Sequence, residues 1–98
     1  MGLYVKYLVC YDIPDDKTRK VLSDSLKDMG LIPLQKSVFY GDLKPVEAAS
    51  LSRFVKEHLD AEIDKCFWFP CHLDVERMRH CVGYEDFSYE EPDGFKFL

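Results

Sequence analysis

The sequence predicts an α+β domain: an antiparallel sheet with two helices packed on one of its faces. Three observations carry that expectation. Short β-branched and aromatic runs recur at Leu3–Tyr11, across 31–43 and at Glu62–Pro70. Between them lie two stretches with apolar residues at helical spacing, each opening on a proline. The 98 residues leave room for one core, so residues 1–98 read as a single domain.

Taken in order, Leu3–Tyr11 is apolar enough for a central strand and stops at the Asp12-Ile13-Pro14 break. Pro14 suits the first helical position, and Asp15 and Asp16 suit the first turn of a helix dipole. Thr18, Val21, Leu22, Ser25, Leu26 and Met29 then form one stripe, with Gly30 as a stop. The next segment reads as two short strands, 31–35 and 37–42, joined by a tight turn or kink near Lys36. Pro33 marks the first of them as an edge or a bulge. Pro45 opens a second helix to about Leu59, with Ala48, Leu51, Val55 and Leu59 facing the core. In Glu62–Pro70, Ile63, Lys65, Phe67 and Phe69 alternate with Asp64, Cys66 and Trp68. Beyond it, Val75–Cys81 reads as a helical turn, Glu85–Asp93 as an acidic loop and Gly94–Leu98 as an additional C-terminal strand. The order is that of a ferredoxin-like βαββαβ sandwich; fold alone assigns no function.

A 47% hydrophobic and 14% aromatic composition argues for a folded core and, at this size, for oligomerisation. No apolar run is long enough to span a bilayer and no signal segment opens the chain, so a soluble, cytoplasmic protein with reduced cysteines is expected. Net charge is −5, which does not by itself indicate nucleic acid. Its distribution is uneven: residues 1–56 hold nine basic against seven acidic residues, and 57–98 hold four against eleven. A phosphate surface would therefore draw on Lys17, Arg19, Lys20, Lys27, Lys36, Lys44, Arg53 and Lys56.

Asp12 ends the first strand before a turn, where a carboxylate can bind a hard cation. The competing reading, favoured by spacing alone, is that it caps the helix or its own turn. Cys66, Cys71, His72, His80 and Cys81 raise zinc, but their spacing is not that of paired zinc ligands. His58 has no nucleophile pattern beside it. The run Phe67-Trp68-Phe69 suits core or interface better than base stacking, with only Lys65 near. No phosphate-cradling glycine loop, nucleophile elbow or dinucleotide fingerprint is present.

The block Tyr7-Leu8-Val9-Cys10-Tyr11-Asp12-Ile13, with Asp15, Asp16 and Arg19, resembles the opening of the CRISPR-associated Cas-two family. Gly30-Leu31 followed by Gln35-Lys36-Ser37-Val38-Phe39-Tyr40-Gly41-Asp42-Leu43 is similar to its second block, in the right order and at the right separation. The resemblance is close over about residues 3–45 and extends in pattern only to 63–70 and Gly94–Leu98. It implies a two-fold homodimer whose sheets face each other, with each last strand extending the partner's sheet. It further implies that the two Asp12 carboxylates approach across the axis and hold Mg²⁺ for phosphodiester hydrolysis. Asp12 is then the catalytic and metal-binding residue. Tyr11, Arg19, Ser37 and Phe39 match positions tied to activity or site integrity, Arg19 toward phosphate and Phe39 toward packing. Where family members carry further basic residues, this chain has Val21 and Pro33, which weakens the case for a vigorous free-standing nuclease. The family includes metal-dependent ribonucleases and deoxyribonucleases. In the adaptation complex its dimer is a scaffold between integrase dimers that helps hold captured DNA. The partners implied are a second copy, the adaptation integrase, and duplex DNA or single-stranded RNA. The rivals are a toxin-type endoribonuclease of the same fold and a non-enzymatic interaction module.

Overall fold

β1 (Val5–Asp12) is the middle of the domain, and its alternation organises everything around it. In the computed structural model, which describes residues 3–92, it pairs antiparallel with two strands. One is β3 (Val38–Leu43) and the other β4 (Lys65–Pro70). β2 (Ile32–Gln35) completes a four-stranded antiparallel sheet of order β2-β3-β1-β4. α1 (Asp16–Asp28) and α2 (Pro45–His58) cover one face, and a short α3 (Val75–Arg79) follows β4. This is the ferredoxin-like arrangement that the element order predicts. No helix among the described residues is long and apolar enough to cross a membrane.

The core lies between the helices and the odd-numbered side of β1. Val9, Tyr11, Phe39 and Leu43 meet Leu22 and Leu26 of α1 and Leu51 and Val55 of α2. Two residues past α1 Gly30 stands at φ 91°, and the Gly30 and Leu31 N–H groups donate to the Lys27 and Leu26 carbonyls. That left-handed cap turns the chain so that Leu31 packs into the core. β3 passes so close that a Cβ on Gly41 would lie 2.7 Å from Leu31 Cδ2.

Several boundaries move from the sequence expectation. Pro14 precedes α1 rather than opening it, because Asp15 is the N-cap and accepts from the Thr18 N–H at 2.8 Å. Val21 stands 42% exposed, not in the apolar stripe, since α1 buries a narrow face centred on Leu22 and Leu26. The strand expected from Glu62 begins at Lys65, because Asp60 organises a turn first: its carbonyl accepts from Asp64 N at 2.7 Å. The tight turn lies at Lys36-Ser37, and β2 is an irregular edge, its register slipping between Pro33 and Gln35. The expected terminal strand Gly94–Leu98 lies outside the described residues.

The acidic loop after α3 is tied to the sheet's second face. Tyr84 Oη donates to the Leu34 carbonyl at 2.7 Å, and Tyr89 Oη donates to Asp42. Lys6 Nζ bridges Asp42 at 3.3 Å and Glu91 at 2.6 Å. Burial first, and then the Asp42 carboxylate, pushes the Tyr89 phenol well above its usual range.

Leu22→Ala should cost about 3 kcal/mol, as for a fully buried leucine. Val21→Ala should cost under about 0.5 kcal/mol, as at an exposed position. Urea denaturation midpoints check the contrast, and equal losses would contradict this packing.

Candidate functional site

Successive residues of β1 point to opposite faces. Tyr11 is buried on the helix side, whereas Asp12 is exposed on the other, directly across from Lys65 of β4. Asp15 takes the capping role, and no hydrogen bond or ion pair engages the Asp12 carboxylate among the described residues. Cys10, Tyr11, Asp12, Lys65 and Phe67 border a small cavity of about 220 Å³ there. Beyond it, Phe67 and Phe69 stack with centroids 5.3 Å apart and stand 51% and 47% exposed. Trp68, between them, packs against the core instead.

On the helix side, a cavity of about 360 Å³ opens between α1 and the β2–β3 turn. Tyr11, Arg19, Ser37 and Phe39 all line it. Tyr11 and Phe39 stack at 6.2 Å and 22°. Burial raises the Tyr11 phenol pKa, against the opposing pull of Ser23, Arg19 and Ser37. Ser37 sits at φ 69°, a left-handed conformation costly to a residue with a side chain, and its carbonyl accepts from Tyr11 N at 3.1 Å. The turn thereby pins the end of β1.

Arg19 is largely committed to the connection after Asp12. Its Nη1 donates to the Ile13 carbonyl at 2.7 Å, and Nη2 pairs with Asp16. It braces the Asp12–Pro14 corner while bordering the cavity mouth. Four sequence-predicted residues are thus gathered on one face, and the fifth, Asp12, is turned to the other.

Lys65, Ser23 and Gln35 were not singled out for these sites. Lys65 reaches Asp12 only through strand pairing, which no local pattern displays. The polar stripe Asp16, Arg19, Lys20, Ser23, Lys27 is visible at helical spacing and marks the side of α1 that faces the cavity. Among the described residues no three His, Cys, Asp or Glu side chains group as metal ligands, so the cysteine–histidine set forms no zinc site there.

A family model described as CRISPR associated protein Cas2 matches residues 5–78. The chain belongs to the Cas2 family. Among curated Cas2 relatives, the CRISPR-associated endoribonuclease Cas2 1 of Francisella tularensis subsp. novicida is 32% identical over 95 residues, covering 97% of each chain. The CRISPR-associated endoribonuclease Cas2 of Korarchaeum cryptofilum is 33% identical, covering 93% of this chain and 98% of its own. Among solved structures, hypothetical protein TT1823 from Thermus thermophilus aligns with TM-score 0.65 and 35% identity, over 70% of this chain and 83% of that one. Streptococcus pyogenes Cas2 shares the fold at TM-score 0.67 and 20% identity, over 80% of this chain and 99% of its own.

The two readings of Asp12 separate by stability. Hydrogen bonds from Thr18 hold the Asp15 carboxyl below its usual range, so its contribution is present above about pH 4 and fades as pH falls toward the folded value. Asp15→Ala should lower the denaturation midpoint at neutral pH and flatten the acid limb. Asp12→Asn should shift neither; a loss matching that of Asp15→Ala would restore the capping role to Asp12.

Proposed function

We propose that this Cas2-family chain is a homodimeric nucleic-acid-binding protein of CRISPR adaptation, with Mg²⁺-dependent phosphodiester hydrolysis at Asp12. The observation that carries the proposal is the Asp12 carboxylate, exposed and unengaged among the described residues, where the central strand ends. Relatives named endoribonucleases over nearly their whole length support a nuclease reading, with RNA as a substrate. The family resemblance adds duplex DNA and the adaptation integrase as partners.

The residues present fit Mg²⁺. This ion keeps several waters and takes one or two carboxylates together with phosphate oxygens, so one Asp12 from each of two protomers suffices without a closed ligand cage. When bound, it polarises the phosphodiester and lowers the pKa of an attacking water. Asp12 would hold it. Lys65, opposite, is placed to meet phosphate charge. The Tyr11–Ser37 backbone bond and the Arg19 brace keep the strand end and its following corner fixed, as a preorganised carboxylate requires.

The open face supports the dimer. Phe67 and Phe69, with Leu8 and Cys10 beside them on β1, leave an apolar surface that a two-fold copy of the same surface would cover. Such a copy brings Asp12, at the margin of that surface, toward its equivalent.

Purified wild type should cleave RNA or duplex DNA with Mg²⁺ and not in EDTA, and Asp12→Ala should lower the rate at least a hundredfold, within the span attributed to losing one catalytic group (about 10²–10⁴). Cleavage indifferent to Asp12→Ala would move the protein to the scaffold role alone. The double variant Phe67→Glu/Phe69→Glu should run as a monomer by light scattering where wild type runs as a dimer. Unchanged mass would place the interface elsewhere.

A further inference from the structure

The cavity between α1 and the β2–β3 turn holds more positive charge than the family-matched residues supply. Arg19, Lys20, Lys27 and Lys36 border it against a single carboxylate, Asp16, which is already paired with Arg19. Lys20 pairs with Asp24 at 2.7 Å. Lys27 and Lys36, from the helix and the turn respectively, make no ion pair within 4 Å among the described residues, Lys27 acting on Asp24 only at longer range, and face one concavity from two sides. Ser23 and Gln35 add neutral hydrogen-bonding groups to its wall. In a chain of net charge −5, such a local excess has to be assembled, and two separate elements assemble it.

We propose that this cavity is a phosphate-binding site for nucleic acid, anchored by Lys27 and Lys36 and distinct from the site at Asp12. It rests on the nucleic-acid reading above but not on catalysis. The separation follows from β1: the Tyr11 ring is buried against Phe39 on this side of the sheet and Asp12 looks out of the opposite face, so one phosphate cannot occupy both places. A strand engaging both must pass around the end or edge of the sheet. At about 360 Å³ the space suits a phosphate with part of its sugar, at the small end of ligand pockets.

The test is binding without turnover. Fluorescence anisotropy in EDTA, with a short single-stranded RNA and a short DNA duplex, compares wild type with Lys27→Gln/Lys36→Gln. Both side chains are exposed, so the variant should fold, and its circular dichroism and denaturation midpoint verify this. The control, Arg77→Gln/Arg79→Gln, removes the same charge from α3, outside the basic set of the first half. Affinity should fall about tenfold in the cavity variant, with the salt slope on the single strand reduced by about 1.4, two phosphate contacts' worth. The control should lose less than about twofold. Competition by AMP but not adenosine assigns a terminal phosphate, and competition only by oligonucleotide assigns the backbone diester; either supports the site. Equal losses in cavity variant and control, or no loss in the cavity variant, overturn it while leaving the Asp12 reading intact. A wild type that binds neither nucleic acid overturns both.

Discussion

The two-residue period of β1, held between β3 and β4, decides which chemistry faces which side of the sheet. Val9 and Tyr11 are driven into the core by burial, and that leaves Leu8, Cys10 and Asp12 for the opposite face. A slip of one residue would place a carboxylate among Leu22, Leu26 and Phe39 and expose a tyrosine instead. Burying an unpartnered carboxylate is costly enough that the register is strongly specified. The position of Asp12 is thus a consequence of core packing nearby, and its exposure costs the fold little.

The same logic explains why the site needs its supports. A strand end is the place where a ladder frays, and Asp12 is the last residue of β1. The Ser37 carbonyl holds Tyr11 N from one side, and the Arg19 guanidinium holds the Ile13 carbonyl just beyond. Between them the corner carrying Asp12 is fixed at two backbone points. Strain at Ser37, about 1–2 kcal/mol for a left-handed residue, is retained where the chain needs a reversal short enough to make that contact. The further carbonyls of α1 and its left-handed cap turn the chain in time for β2, so the turn and helix converge on the same cavity.

What could be read from sequence was whatever repeats with a period. The four strands, both long helices, the turn at Lys36 and the gathering of basic residues in the first half all follow from spacing, proline and glycine. Boundaries set by side-chain capping were less legible: two aspartates follow Pro14 and a third lies two residues before it, and only geometry shows that Asp15 accepts from Thr18. Pairing partners were not legible at all. That Lys65 lies across from Asp12, or that Tyr89 reaches Asp42 from 47 residues away, depends on long-range register that no local pattern encodes. The split of the family-matched residues between two faces was implicit in the adjacency of Tyr11 and Asp12, though the resemblance treats them as one group.

Charge segregation completes the picture. The acidic C-terminal half is folded against the sheet through Tyr84, Tyr89 and Glu91, and Lys6, one of the few cations on that face, is consumed by Asp42 and Glu91. Of the other cations of the first half, Lys17, Arg19, Lys20, Lys27 and Lys36 stand on α1 and the β2–β3 turn and Lys44, Arg53 and Lys56 at α2, and the acidic segment meets this side through the neutral Tyr84 hydroxyl, which reaches Leu34 and Gln35. Screening confines surface electrostatics to about 10 Å, so a phosphate at the α1 cavity responds to the lysines there and little to the net charge of the molecule. A negatively charged chain can therefore present a cationic surface, provided its acids are anchored elsewhere. The Lys6–Asp42–Tyr89 contact does that anchoring, and it joins the stability of the acidic segment to the electrostatic character of the opposite face.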